Sequence, residues 1–359
     1  MAFPPRPRPF HGRAAELHTL AAACRTGLHP RLALVGPGGS GKSTLAAALG
    51  HRVRRDFPGG LEWVRVGGWD HRTLIDMLAI RLGVPLGRLD ERQQRLRAIR
   101  RRLRERGRTL IVLDNHEDDR EMARFLDALA RDPVFWVLTA RRCLLAGVSV
   151  FPVVSPLVTV GRSPFPAVAE LTALLRWNPL ALDISDALVR SGAIGARALG
   201  DWLLGHGVDR VAAISHEDDL PELRLLVRWV WSRLDPGGRR LLTALAHLQG
   251  DHADARSLAA LARCRGTASL ARLRRWHLVQ EPLPGRFTVH ATLRHAVVAR
   301  TRFDQRRAVE HFVKLLEREP ARLDLEQTHL FAALDYAHTT GDFSVAQRLV
   351  RLLENLGLA

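Results

Sequence analysis

The stretch RLALVGPGGSGKSTLAAALGHRV, residues 31–53, decides the fold. An apolar run from Leu32 to Val35 leads into Gly36-Pro-Gly-Gly-Ser-Gly41-Lys42-Ser43, and an alanine- and leucine-rich helical stretch follows. Strand, glycine-rich loop and helix in that order are the setting in which G-x-x-x-x-G-K-[ST] binds phosphate. Glycines let the chain bend until successive N–H groups point inward at phosphate oxygens, with the positive end of the new helix behind them. We therefore expect Gly36, Gly38, Gly39, Ser40, Gly41, Lys42, Ser43 and Thr44 to line a phosphate cradle. Lys42 would bridge the outer phosphates, and the Ser43 hydroxyl would ligate Mg²⁺.

Two further apolar runs extend the pattern. TLIVLD (109–114) ends on Asp114, and VFWVLT (134–139) delivers Arg141 just beyond it. LEWVRV (61–66) and VFPVV (150–154) read as additional strands. In a parallel sheet covered on both faces, strands are continuous apolar runs and ligands collect beyond their carboxyl ends. Asp114 would then join Ser43 around Mg²⁺, while Arg141 would meet the terminal phosphate. After Asp114 comes Asn115, which can orient a water but cannot accept its proton. Glu117 has two readings, a contact to that water or a cap on the helix that begins at EMARFLDALA.

At 359 residues the chain calls for two or more domains. No apolar run reaches membrane-spanning length and MAFPPRPRPF lacks a signal-peptide core, so we expect a cytoplasmic protein with no membrane partner. Cys24, Cys143 and Cys264 have no paired spacing and read as ordinary thiols. Lys+Arg outnumber Asp+Glu by 54 to 37, yet the lysines are Lys42 and Lys314 alone. Arginine enrichment spread along the whole chain is weak support for a nucleic-acid partner. The densest run, RQQRLRAIRRRLRERGR (92–108), carries Leu96, Ile99 and Leu103 at helical spacing. We read it as a helix with a buried stripe and a solvated basic face.

Beyond residue 155 the pattern turns helical. SPFPAVAELTALLRW predicts a helix, a break falls at Asn178-Pro179, and a second helix follows. From 221 to 302, helical stretches precede LVQEPLPGRFTVH, two β-like runs about a Pro-Gly turn, which outlines a winged-helix module. Residues 303–359 are helical, with a Gly-Asp turn between two helices that suggests the start of a repeat array. The expected organisation is an N-terminal Pro/Arg-rich arm (1–17), an α/β P-loop domain with a parallel sheet (18–155), a small helical subdomain (156–220), a winged-helix domain (221–302) and a repeat-like segment (303–359).

Together these motifs resemble the signal-transduction ATPases with numerous domains, of the NB-ARC type found in bacterial regulators, apoptosis adaptors and plant immune receptors. RPRPFHGRAAELHTL (6–20) is similar to that family's entry segment, LDNHEDD to its second motif, and LTARRCLL to its sensor segment. The resemblance implies Thr139 and Arg141 at the terminal phosphate. WNPLALDI stands where the family has Gly-Leu-Pro-Leu-Ala, which implies Pro179 against adenine, although Trp177-Asn178 replaces Gly-Leu. RFTVHATLRHAV matches the winged-helix motif whose histidine, here His290, reaches the β-phosphate of ADP. The last helices resemble the lead-in to a tetratricopeptide-like array.

These features lead us to expect a slow ATPase used as a switch. It would be closed with ADP and favoured as an open homo-oligomer with ATP, with an unknown protein partner supplying signal or effector. Two rivals are a DNA-dependent turnover ATPase, for which the basic RLRR (272–275) in the winged helix is the candidate contact, and a small-molecule P-loop kinase.

Overall fold

The computed structural model describes residues 3–7, 12–27, 30–67, 69–84, 92–154, 165–207, 221–248, 252–264 and 267–357. Parts of the expected arm, Phe10 and His11 of the entry segment among them, lie outside these residues, as do 155–164 and 208–220. The chain divides into two units, one of residues 1–36, 42–153 and 312–359, the other of 37–41 and 154–311.

In the first unit the apolar runs become β1 (Arg31–Val35), β2 (Leu61–Arg65), β3 (Thr109–His116), β4 (Val134–Ala140) and β5 (Ser149–Pro152). They form a parallel sheet in the order β2-β3-β4-β1-β5. β4 is buried at every position and β3 at all but Asn115, as strands covered on both faces must be. The covering helices are α1 (Ala14–Thr26), α2 (Lys42–Val53), α3 (His71–Arg81), α4 (Arg92–Arg106) and α5 (Asp119–Ala128). The connection from β1 to β2 crosses the sheet one way, and those leaving β2, β3 and β4 cross it the other way. Right-handed crossovers then put α2 on the face opposite α3, α4 and α5. β1 and β4 are neighbours whose connections depart in opposite directions, which opens a crevice at their carboxyl ends.

Register sets what lies at that edge. Val35 pairs with Ala140 and Ala140 with His116, so the loop after β1 and the ends of β3 and β4 share one level. The ladder between β3 and β4 slips after Leu113, where Asn115 takes a left-handed φ of 61°. Asparagine tolerates that conformation better than most residues. The slip leaves Asp114 and Asn115 both near Thr139.

The N-terminal arm is fixed to α2 in a way the sequence does not announce. A Cβ on Gly50 would stand 2.2 Å from the Phe3 ring, so the missing side chain is the space the ring occupies. Phe3 meets Trp63 edge-on at 5.5 Å, and His51 Nε2 bonds the Pro4 carbonyl at 2.7 Å.

α4 keeps the expected solvated basic face, with Arg101 and Arg104 largely exposed, and adds ion pairs to it. Ile99 and Leu103 are fully buried, but much of the basic face is also engaged with acids. Arg95 is buried and paired with Asp76, Arg106 bonds Glu62 at 2.8 Å, and Arg100 and Arg104 flank the buried Asp132 at 3.8 and 3.6 Å. Burial raises the Asp132 carboxyl above its ordinary range, and the two arginines oppose that rise.

The first unit ends in the C-terminal half of α13 (Gln305–Arg318), followed by α14 (Leu323–Thr340) and α15 (Phe343–Asn355). The Gly-Asp turn is explained by capping. Gly341 closes α14 at φ 67°, and the Asp342 carboxylate accepts from Val345 N at 3.2 Å to open α15. Phe331 of α14 meets Trp69, just ahead of α3, edge-on at 6.4 Å.

In the second unit, α6 (Pro179–Arg190) and α7 (Ala196–Gly205) precede α8 (Pro221–Arg233), α9 (Pro236–His247), α10 (Ala255–Ala262), α11 (Thr267–Arg275) and α12 (Ala291–Val298). A three-stranded antiparallel sheet, in the order β6-β8-β7, joins β6 (Ala253–Asp254), β7 (Gln280–Leu283) and β8 (Arg286–Thr288). Leu283 pairs with Arg286 across Pro284-Gly285, with Gly285 at φ 71°. Ahead of α6 the expected helix is instead a 3-10 segment, Pro166–Leu171, followed by turns. Val168 leaves helical space, and Arg176 and Trp177 stand at φ 53° and 54°, so the α-helical ladder cannot continue. Trp177 thus holds a conformation that favours glycine, at the place where the resembled family carries one.

Candidate functional site

At the carboxyl edge of the first unit, a short chain of hydrogen bonds links three segments. The backbone N–H of Asn115 donates to Thr139 Oγ1 at 2.9 Å, and that hydroxyl donates to Asp114 Oδ1 at 2.6 Å. Ser43 Oγ donates to the same carboxylate oxygen at 2.6 Å. Asp114 is buried, so its charge requires such partners. Sharing their protons with one oxygen leaves the lone pairs of Ser43 Oγ and the second oxygen of Asp114 as hard donors, the chemistry Mg²⁺ prefers. Among the described residues no group of three or more His, Cys, Asp or Glu side chains could hold a metal. Any Mg²⁺ here would complete its shell with phosphate and water oxygens, as this ion usually does. The residues fit the ion on those terms.

Positive charge is concentrated beside this carboxylate. Lys42 opens α2 and donates to Gly36 O at 2.8 Å. Its pKa is lowered to about 8, chiefly by burial and then by the nearby charge of Arg141, with Asp114 opposing and Arg13 adding a smaller push down. Arg13 is itself buried, with Glu16 at 3.0 Å as counter-ion. A buried ammonium beside two guanidinium groups is a site prepared for an anion. Lys42, Ser43, Asp114, Thr139 and Arg141 therefore gather at one edge, as the sequence leads one to expect. Arg13 is an addition: its Gly-Arg motif is visible in the sequence, but its charge beside Lys42 is not.

Glu117 does not cap α5. That position belongs to Asp118, whose carboxylate accepts from Arg120 N and Glu121 N at 2.9 and 3.1 Å. Glu117 Oε1 instead accepts from Asn115 Nδ2 at 2.6 Å. The asparagine amide is thus spent on steering a carboxylate.

In the second unit, loop residues 37–41 lie against the start of α6. Asn178 Oδ1 accepts from Leu180 N and Ala181 N at 3.0 and 3.1 Å, while its Nδ2 donates to Gly38 O at 3.1 Å. Pro179 sits at the first helical position, where its missing N–H costs nothing. Gly39 and Gly41 take φ of 78° and 89°, and a Cβ on Gly39 would stand 2.8 Å from Asn178 Oδ1. In the sequence Asn178 stands at the break before the second helix and as a departure from Leu. Its value before Pro179 as a helix cap was a legible signal; its bond to the loop was not. Asn178→Ala is expected to lower stability by about 1–2 kcal/mol through the lost cap alone. Asn178→Asp keeps the cap and removes the donor to Gly38 O. Urea midpoints compare them, and an unchanged midpoint in Asn178→Ala would contradict the assignment.

His290 caps α12 in the same unit. Its Nδ1 accepts from Thr292 N at 3.2 Å, so a neutral imidazole carries its proton on Nε2.

A five-stranded parallel sheet with this loop, lysine and carboxylate at its carboxyl edge defines a P-loop nucleotide-binding domain of the ATPase class. Residues 18–141 match the NB-ARC domain family, and the domain is of that type. Among solved structures, the chain resembles a signal-transduction ATPase with numerous domains (STAND) carrying a tetratricopeptide repeat sensor, from Pyrococcus horikoshii. The TM-score is 0.59 and the identity 19%, over 98% of this chain and 51% of that one. The chain thus spans about half the length of that protein. Cdc6p from Pyrobaculum aerophilum gives a TM-score of 0.38 at 15% identity, over 82% of this chain and 95% of that one. Drosophila ORC bound to DNA gives 0.36 at 13%, over 82% and 88%. Likeness at that level carries no argument. No curated protein matched the sequence.

Proposed function

We propose that the chain is a nucleotide-dependent conformational switch that binds ADP and ATP with Mg²⁺ and hydrolyses ATP slowly. The observation that carries this reading is the cationic cluster of Lys42, Arg141 and Arg13 facing Asp114 and Ser43, with no acid at position 115. Lys42 and the loop N–H groups hold the outer phosphates, Ser43 and Asp114 hold Mg²⁺, and Arg141 and Thr139 stand at the terminal phosphate. Bound Mg²⁺ would neutralise phosphate charge and polarise the phosphoryl group. Asn115 holds Glu117 by one carboxylate oxygen. That oxygen already accepts a hydrogen bond and is a weaker proton acceptor for it, which favours slow turnover over motor-like rates.

Residues 221–302 act as a winged-helix hinge, and the helices after 303 as the beginning of a tetratricopeptide-like sensor. ADP favours the closed form, and ATP an open one that assembles with further copies or a partner protein. A proton on His290 Nε2 is a donor suited to the β-phosphate of ADP, and Pro179 packs on adenine in this reading. Support for a hinge over a DNA reader comes from α11. Arg272 is held by Asp235 at 3.4 Å and Arg274 by Glu281 at 2.5 Å, which draws charge away from any phosphate backbone. His290→Ala is expected to speed ADP release about tenfold or more, the worth of one charge-assisted hydrogen bond. Stopped-flow displacement measures it, and unaltered release would remove His290 from the site.

A further inference from the structure

A second basic site lies at the other end of α2. There a groove of about 910 Å³ is lined by Arg6, Arg52, Arg54 and Arg55, with His18 and His51. None of its described lining residues is acidic. Among the described residues none of these four guanidinium groups has a carboxylate partner, and Asp56, next to Arg55, is taken by Arg25 at 3.0 Å. This is the reverse of α4, where the densest arginine run in the sequence is largely neutralised.

The helix terminus explains part of the cluster, because carbonyl ends attract cations. It does not explain Arg6, which comes from the arm. That arm is held in place, with Phe3 in the space left by Gly50 and the Pro4 carbonyl on His51. Four like charges around one small concavity repel one another until an anion occupies it. Ala48, the first lining residue on α2, follows Ser43 by five residues, so the groove begins roughly 7 Å along the helix from the phosphate loop.

We propose that this groove binds a compact anion carrying two or more phosphate groups, separately from the nucleotide at the phosphate loop. Guanidinium groups match phosphate oxygens in pairs, and the volume suits a small ligand. Among the described lining residues there is, apart from two imidazoles, no aromatic face on which bases of a nucleic-acid strand could stack. The groove therefore selects clustered phosphate.

Inorganic tripolyphosphate is the probe, titrated calorimetrically into the full chain, with Lys42→Ala and Arg54→Ala/Arg55→Ala as companions. Saturating ADP and fixed Mg²⁺ occupy the phosphate loop of the wild type. Tripolyphosphate is expected to bind the ADP-loaded wild type and Lys42→Ala with similar affinity. The double variant should lose at least tenfold while keeping its ADP affinity and thermal midpoint. No binding to ADP-loaded protein, or equal binding to the double variant, would overturn the site. Tighter binding of a 12-nucleotide single strand at the same arginines would overturn the ligand class. If Lys42→Ala keeps ADP affinity, the phosphate-loop reading fails while the groove result still stands.

Discussion

Lys42→Ala should weaken ADP binding about a hundredfold or more, the usual consequence of truncating one partner of a buried charge pair. In the folded chain the ammonium donates to Gly36 O at 2.8 Å and is crowded by Arg141. It titrates near pH 8 instead of 10.5, a difference worth roughly 3 kcal/mol. The sign follows from proton counting. Between those two values the unfolded chain holds a proton that the folded chain has released, so stability rises with pH across the window. The cost is fully present below about pH 8. Phosphate oxygens would remove it, and ADP binding at pH 8–9 should therefore take up protons, a quantity read by calorimetry in buffers of different ionisation enthalpy. Lys42→Ala should abolish that uptake. Because the variant also removes an ammonium whose charged form burial disfavours, the protein without nucleotide should be as stable as the wild type or more so. A variant that is stable and retains ADP affinity would refute the role of Lys42.

Asp114→Asn comes second in size. The amide oxygen can still accept from Ser43 and Thr139, which bond Asp114 Oδ1 at 2.6 Å, so the local hydrogen bonds survive. What is lost is a full negative charge beside Mg²⁺, worth several kcal/mol in transition-state stabilisation, or a hundredfold and more in rate. ATP hydrolysis should fall by about that factor, and the gain in ADP affinity on adding Mg²⁺ should largely vanish. Asp114→Ala is the less informative change, since it also leaves two hydroxyls without an acceptor in a buried setting. Undiminished hydrolysis in Asp114→Asn, with Mg²⁺ dependence intact, would place the metal elsewhere.

Much of this arrangement was legible before any coordinates. Continuous apolar runs are what a doubly covered parallel sheet needs, and the strand ends at Val35, Asp114 and Thr139 followed from them. The Gly341-Asp342 turn was equally readable because each residue has a local capping role. What escaped depends on partners distant in sequence. The bond from Asn178 to Gly38 O joins residues 140 positions apart. The space beside Gly50 has meaning only once Phe3 is placed in it. Arginine counts decide little, because charge density along the chain says nothing about neutralisation. In α4 the acids that answer Arg95 and Arg106 come from other elements, whereas among the described residues the arginines around the groove have none. The segment ahead of α6 was read as a helix because its apolar spacing is helical, but local backbone conformation at Val168, Arg176 and Trp177 prevailed.

The whole account rests on an adenine nucleotide held at the carboxyl edge of the sheet. Its most direct test is acid extraction of the purified full chain, with chromatographic identification and quantification of what is released. The account predicts about one ADP or ATP per chain, or uptake of one ADP per chain when Mg²⁺ and nucleotide are supplied to emptied protein. A chain that releases no nucleotide, and takes up none from about 1 mM ADP with Mg²⁺, where a site even at the upper end of ordinary ligand affinities would be half filled, would contradict it.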